Sequence, residues 1–290
     1  VITVRVTNRL VNYNLRKNME RQLEQINKNQ SAVSSGKKLA TLSENPGALG
    51  QAMALKASLD IQEQYNSNMD NASAWLRQTE TALAGSAEIV LRARELVLAT
   101  GNAGVGEQEM EAMAIEVGVL TEQMLVNANT KLGNTYIFSG HQINDEAFGD
   151  DYKYKGDGEG IFKEIAPGIT LQVNVHGEIF NGIFENLRNL KEGLESGDKD
   201  KVMKLLDKLD DDHSKLVQAR TGVGSKAKQL EIMQEQMDYQ TLNLQTMLQD
   251  LQGVDLVEAS MLLAEDQMVY QASLAISARL MQISMLEYMR

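Results

Sequence analysis

Three histidines, His141, His176 and His213, are the side chains best suited to metal binding or proton transfer, and each falls in a different segment. None stands four residues from another, the spacing that turns two imidazoles to one helical face for zinc. His213 follows Asp210, Asp211 and Asp212, but an acidic run in a helical pattern reads as a solvated face. Asp150-Asp151 and Asp157-Gly-Glu159 offer carboxylates without the spacing of a calcium loop. The stretch Gly101-Asn-Ala-Gly-Val-Gly106 has the glycines of a phosphate cradle, yet no strand pattern precedes it and no Lys-Ser/Thr follows, so it reads as a helix-to-helix loop. No Gly-x-Ser-x-Gly occurs, and zero Cys removes thiol catalysis, Cys-ligated zinc and disulfides. The carboxylates sit on helical faces, without the burial or like-charged neighbours that tune a catalytic acid. The expectation is a chain with no catalytic residue, no cofactor and no metal, and hence no enzyme.

The methionines Met233, Met237, Met247, Met261, Met268, Met281 and Met285 recur at helical spacing. They suit an adaptable partner-binding surface or a plain core. The two readings coincide if the seam stays open in one subunit and closes on assembly.

The elements that must carry these residues are helices. The chain has 290 residues, 43% of them apolar but only 5% aromatic, with 2 Pro and 15 Met, a composition that suits long helices better than a compact enzyme core. No run approaches the ~18 apolar residues of a membrane span. The opening residues VITVRVTNRLVNYNLRKNM are interrupted by Arg, so no secretory signal is expected either. A net charge of −12 argues against nucleic acid as a partner. That charge is uneven. Val1 to Ala40 carries Arg5, Arg9, Arg16, Lys17, Arg21, Lys28, Lys37 and Lys38 against Glu20 and Glu24, a net +6. Gln229 to Ala278 carries eight acidic residues and no Lys or Arg, a net −8. Complementary arms suit two ends lying side by side, within one subunit or between neighbours, or two independent solvated helices, and charge screened beyond ~8 Å does not select between these.

Periodicity agrees. Leu15, Met19, Leu23, Ile26 and Val33 form a narrow stripe in the first arm. Near the other end Leu230, Met233, Met237, Gln240, Leu244, Met247, Leu251 and Val254 alternate steps of three and four, which predicts an intrachain helical seam through Leu230, Met233, Met237, Leu244, Met247 and Leu251. The register extends back to Val202 through a local stammer, predicting one long helix. A helix from Leu49 to Ala99 carries Leu55, Leu59, Met69, Leu76, Leu83, Val90 and Val97, interrupted by Gln62, Asn66, Ser73 and Glu80. Another runs from Glu107 to about Lys131, and Ile183, Leu187, Leu190 and Leu194 mark a short amphipathic one. Residues 136–180 read as strands and turns: the Tyr136-Ile-Phe run, Tyr152-Lys-Tyr154-Lys, Pro167-Gly168, and alternating Ile169, Leu171, Val173 and Val175. The predicted fold class is mainly α: an elongated antiparallel long-helix bundle or coiled coil formed by both chain ends, with a small β-rich domain inserted in the middle.

The first arm leads into Ser34-Ser-Gly-Lys-Lys-Leu39 and then Ser43-Glu-Asn-Pro-Gly47-Ala-Leu-Gly-Gln-Ala. This resembles the N-terminal signature of the flagellin superfamily, with Ser-Glu-Asn-Pro where members often have Ser-Asp-Asp-Pro. Ala128-Asn-Thr-Lys-Leu-Gly-Asn-Thr-Tyr-Ile-Phe-Ser-Gly140 is similar to a run typical of the hook–filament junction branch of that superfamily. Asp255-Leu-Val-Glu-Ala259, Tyr270-Gln-Ala-Ser-Leu274 and Ile283-Ser-Met-Leu-Glu-Tyr288 resemble its closing helix.

The resemblance implies a structural subunit of the bacterial flagellum that is exported unfolded from the cytoplasm through the type III apparatus and joins hook to filament outside the cell, with a flagellin-type filament subunit or a coiled-coil adaptor as the alternatives. It implies hook-associated protein 1, flagellin, like copies of itself and a cytoplasmic export chaperone as partners. Terminal assembly arms are then expected at 1–42 and 255–290, a helical body at 43–135 and 181–254, and a β-rich tip at 136–180. Partner-binding residues are expected at Leu15, Met19, Leu23, Ile26 and Val33 in the first arm. In the last arm they are Val257, Met261, Met268, Leu274, Ile276, Leu280, Ile283 and Leu286.

Overall fold

The structure, a computed structural model, describes residues 2–38, 46–101 and 105–288, and the side chains of residue 10 and of 13–38, 46–101 and 105–279. Much of the Ser43-Glu-Asn-Pro signature and part of the 101–106 glycine loop therefore lie outside the described residues. The protein is mainly α. In chain order it forms α1 (Ile2–Ser35), α2 (Pro46–Thr100), α3 (Glu107–Ala128), the short strands β1 (Lys131–Leu132) and β2 (Thr135–Tyr136), β3 (Phe162–Ala166), β4 (Ile169–Gln172), α4 (Ile179–Glu195), α5 (Lys199–Met203), α6 (Leu206–Gln252) and α7 (Leu256–Tyr288). It separates into two compact units, residues 61–239 and residues 1–60 with 240–290. These boundaries differ from the three-part division the sequence suggested, because α2 and α6 each contribute to both units and residues 136–180 share a core with the helices.

In the unit of residues 61–239, α2 shows why a helix with few large apolar residues can still be core. Met69, Leu76, Leu83, Val90 and Val97, one heptad apart, are all buried. A second buried series, Ala72, Thr79, Ser86, Ala93 and Thr100, also repeats every seven residues and is small throughout. Its hydroxyls need no outside partner: Thr79 Oγ1 donates to the Trp75 carbonyl (2.9 Å), Ser86 Oγ to Ala82 (2.7 Å) and Thr100 Oγ1 to Leu96 (2.8 Å). Small side chains at every second seam position leave room for the large side chains of neighbouring elements.

α6 answers with Leu209, Leu216, Val223, Leu230 and Met237, again seven apart and all buried. It runs antiparallel to α2, as shown by contacts from Arg94 to Asp210 (2.5 Å), Glu80 to Arg220 (2.7 Å) and Asp70 to Gln234 (3.0 Å). The seven-residue series continues through this region without a stammer. The helix begins at Leu206, and Val202 belongs to the separate α5, capped by Asp198 accepting from the Lys201 amide (2.9 Å). The amphipathic α4 buries Ile183, Leu187, Leu190 and Leu194, as its spacing predicts.

The middle segment is less strand and more packed loop than expected. Two antiparallel hairpins form, β1–β2 and β3–β4, the second with a bulge between Glu164 and Ala166. Ile137 and Phe138 leave the strand after Tyr136 but are fully buried, and the Tyr152–Lys155 alternation yields only a bridge between Phe148 and Tyr154. The cause is an aromatic cluster: Phe148 lies 5.0 Å from Phe184, 6.0 Å from Phe180 and 5.4 Å from Tyr154, and Phe138 meets Phe180 edge-on at 5.0 Å. Asn129 stitches it to α3, with its amide donating to the Phe148 carbonyl (2.8 Å) and its oxygen accepting the Phe148 N–H (2.9 Å). Four of the five Phe residues are concentrated there.

Candidate assembly surface

The unit of residues 1–60 with 240–290 has a different composition of contacts. The basic α1 and the acidic α7 lie side by side and antiparallel within one chain. Asn29 Nδ2 donates to Asp266 Oδ2 (2.6 Å), and Ser277 Oγ reaches Met19 Sδ (3.8 Å).

A corner built from the sequence signatures fixes this pairing. α1 ends at Gly36, whose φ of 69° is the left-handed conformation that closes a helix and that residues with a Cβ adopt at a cost. The Gly36 amide donates to Ala32 O (2.8 Å), and Ser35 Oγ to Ser31 O (2.7 Å). Lys38 N–H then donates to Gln252 O (2.6 Å) and Val254 N–H to Gly36 O (3.1 Å), a short antiparallel bridge that ties the end of α1 to the end of α6. Gly253 completes the corner, since a Cβ there would run into the Gln249 carbonyl. Asp255 starts α7, with its carboxylate accepting from the amides of Val257 (2.8 Å) and Glu258 (3.3 Å) as an N-cap.

Inside this unit the seam is made of modest residues. On α1 the half-buried positions Leu15, Met19, Gln22, Ile26, Asn29 and Val33 step by four and three, and on α7 the matching positions are Ala259, Leu263, Asp266, Tyr270, Ser273 and Ser277. Of these twelve, only Ala259 and Ser277 are buried. A cavity of about 350 Å³ lies between the helices, lined by Leu15, Asn18, Met19, Arg21, Gln22, Ser273 and Ile276.

The large apolar residues point elsewhere. Val257 is 70% exposed, Met261 69% and Met268 64%, and Leu274 and Ile276 are exposed as well. Leu256, Leu262 and Val269 of α7 are exposed too, as are Leu10 and Tyr13 of α1. The residues expected to bind partners therefore divide. Val257, Met261, Met268 and Leu274 are exposed and Ile276, also exposed, borders the opening between α7 and α1, whereas Leu15, Met19, Ile26 and Val33 sit half-buried on the seam toward α7 and only Leu23 of the first-arm set is exposed. Leu280, Ile283 and Leu286 belong to α7, but their side chains lie outside the described residues.

The expected intrachain seam of α6 also divides. Leu230 and Met237 are buried, and Met233, Leu244 and Leu251 are half-buried, but Met247 is 57% exposed while Leu248 turns inward in its place. Apolar residues at both 247 and 248 satisfy a helical period, and one residue is a rotation of about 100°. Periodicity counts both; packing selects one. Sequence reasoning missed the α7 seam for the converse reason. Its step is a regular four and three, but apart from Leu263 its residues are Ala, Asp, Tyr and Ser, which an apolar search passes over.

Comparison with known proteins gives this surface a context. Residues 6–143 match the family described as bacterial flagellin N-terminal helical region, and residues 206–289 that described as bacterial flagellin C-terminal helical region. Flagellar hook-associated protein 3 of Escherichia coli (strain K12) is 26% identical over 157 residues, covering 53% of this chain and 50% of that protein. The protein of that name in Salmonella typhimurium is 25% identical over 160 residues, with the same coverage. The chain thus spans about half the length of the curated relatives it matches. A solved structure of a putative flagellar hook-associated protein from Vibrio parahaemolyticus shares the fold at a TM-score of 0.68 and 22% identity, covering 72% of this chain and 100% of that one. FlgL of Bacillus cereus shares it at 0.62 and 23%, covering 68% and 99%.

Proposed function

Because the chain belongs to the flagellin superfamily, we propose that it is a structural subunit of the bacterial flagellum that joins hook to filament, in the manner its hook-associated relatives' names describe. It takes no part in catalysis. Its work is to make contacts: with hook-associated protein 1 on the hook side, with flagellin on the filament side and with like copies around the junction, after export unfolded with a cytoplasmic chaperone on the last arm. Residues 1–42 and 255–290 act as the assembly arms, residues 43–135 with 181–254 as the helical body and residues 136–180 as the tip.

The observation that carries this reading is the inversion on α7. Its small and polar side chains close on α1, while Val257, Met261 and Met268 stand more than 60% exposed. Fully burying a side chain of this size contributes roughly 1.5–3 kcal/mol. A helix pair that leaves this term unused gains it when neighbouring subunits cover the face. Until then the ordering entropy of two long helices is poorly offset, which holds assembly back until a growing end supplies neighbours.

The test adds purified protein to hook or filament seeds under the electron microscope. A short cap of added density is expected. Growth of long filaments would identify a filament subunit instead, and absence of any addition would leave a coiled-coil adaptor and overturn the proposal.

A further inference from the structure

The methionines divide as sharply as the two units do. Among the described side chains, Met53, Met247, Met261 and Met268 are 57–69% exposed, and all four belong to residues 1–60 with 240–290. In residues 61–239, Met69, Met110, Met124 and Met237 are buried, Met113 and Met233 are half-buried, and Met203, at 37%, is the most open. The most exposed thioethers thus sit in the unit proposed to assemble, where Met19 is half-buried on the seam. Met261 and Met268 stand one heptad apart on α7, in line with Val257, at the centre of the outward apolar face.

We propose that Met261 and Met268 are modification sites for peroxides, at which oxidation of the free subunit disables the assembly face. The inference rests on the assembly role argued above. In the reaction the thioether sulfur attacks the peroxide: an S–O bond forms, the O–O bond breaks, sulfur is oxidised by two electrons, and the peroxide departs reduced as water or an alcohol. The product replaces an apolar, flexible group with a strongly polar, chiral sulfoxide. On the solvent-facing helix this changes little in the subunit itself, because the sulfoxide stays hydrated. On the face that a neighbour must dehydrate, each sulfoxide brings an oxygen acceptor that no apolar partner satisfies. Once the face is covered, peroxide no longer reaches the sulfur, so sensitivity belongs to the subunit in transit and is lost in the finished assembly. Methionine sulfoxide reductases reverse the change.

The test exposes the full chain to graded hydrogen peroxide, maps each methionine by mass spectrometry of peptides, and adds the treated protein to seeds. Met261 and Met268 are expected to oxidise at least about tenfold faster than Met69 and Met124, which wait on local opening. Equal rates would overturn the proposal. Treated protein is expected to lose addition to seeds with its circular dichroism unchanged, and to regain addition after treatment with both reductases. The double variant Met261→Leu, Met268→Leu should add to seeds before and after peroxide, and Met261→Gln, Met268→Gln should fail to add without any oxidant. Unimpaired addition by the treated protein or by the Gln pair would overturn it, as would equal loss by the Leu pair. Failure of the untreated protein to add would instead strike the assembly role, and appears before any peroxide is used.

Discussion

Residues 61–239 and residues 1–60 with 240–290 are both built from long helices with heptad seams, yet they use those seams in opposite ways. The first unit buries Phe138, Phe148, Phe180, Leu76, Leu83, Leu187 and Leu190 to below 2% exposure. Among the described residues of the second, the only apolar side chains that are buried are Ala52 and Ala259. Helical pattern alone is therefore no measure of self-sufficiency. Ordering a residue costs about 1–2 kcal/mol of backbone entropy, and it is the size of the buried side chain that offsets it. One unit can meet that cost within the chain. The other buries no large apolar side chain among its described residues, and on the proposed assembly role it would meet that cost with partners.

The harshest test of this contrast removes one large side chain from each unit. Phe180→Ala takes away the ring that meets both Phe138 and Phe148, and should lower stability by about 3–5 kcal/mol in urea titrations followed by circular dichroism. Met268→Ala should shift the same transition by less than about 0.5 kcal/mol while impairing addition to seeds. Comparable losses of stability in the two variants would erase the distinction between the units.

A smaller loss follows from the buried polar contact of the first unit. Asp212 is 2% exposed, and its Oδ2 accepts from Asn186 Nδ2 at 2.5 Å, with Lys215 Nζ 3.5 Å from Oδ1. Asp212→Ala strands the Asn186 amide in a dry site, a cost of about 1–3 kcal/mol in the same titration. The seam contact Asn29–Asp266 in the second unit is only half-buried and leaves its polar groups within reach of water, so Asp266→Ala should cost less than Asp212→Ala, under about 1 kcal/mol.

What the sequence made legible follows the same physics. Large apolar residues at regular spacing located α2, α3, α4 and α6, and the terminal signatures contain Gly36 and Asp255 of the corner, while Gly253 was not singled out. The small series Ala72, Thr79, Ser86, Ala93 and Thr100 went unread because small and hydroxyl-bearing residues resemble interruptions until a neighbour is seen to fill the space beside them. The α7 seam failed for the same reason: Ala259, Asp266, Ser273 and Ser277 fit no apolar pattern, so the face that holds α7 to α1 was not read. The aromatic cluster brings Phe138 and Phe148 from two loop segments onto Phe180 and Phe184 of α4, a convergence that no local period encodes.

The corner offers a test confined to the second unit. Gly36→Ala places a Cβ at a φ of 69°, at a cost of about 1 kcal/mol. Hydrogen exchange should quicken at the amides of Lys38 and Val254, which bridge the helix ends, and stay unchanged on α4. If protection fell throughout residues 61–239 as well, the two units would be one cooperative block and the comparison would have to be redrawn.

The smallest effect concerns an exposed loop of the first unit, and it is a matter of pH. The Asp157 carboxylate accepts the Glu159 N–H (3.0 Å) and the His141 N–H (3.0 Å to Oδ1), and these bonds hold its pKa below the usual carboxyl value. The Glu159 amide contributes most, partial desolvation works against it, and the His141 amide adds to the lowering. A carboxyl whose pKa is lower folded than unfolded binds fewer protons in the native state, so its stabilising contribution is complete above the unfolded value of about 3.9. It is lost as pH falls through the folded value. Exchange at the His141 and Glu159 amides should therefore show protection that is steady from neutral pH down to about 4 and weakens below it. Asp157→Asn should abolish that acid step, since its amide oxygen accepts the same bonds at every pH. The aromatic cluster should hold through the same acid range, because no carboxylate takes part in its ring contacts. A simultaneous loss there would mean that loop and core open together.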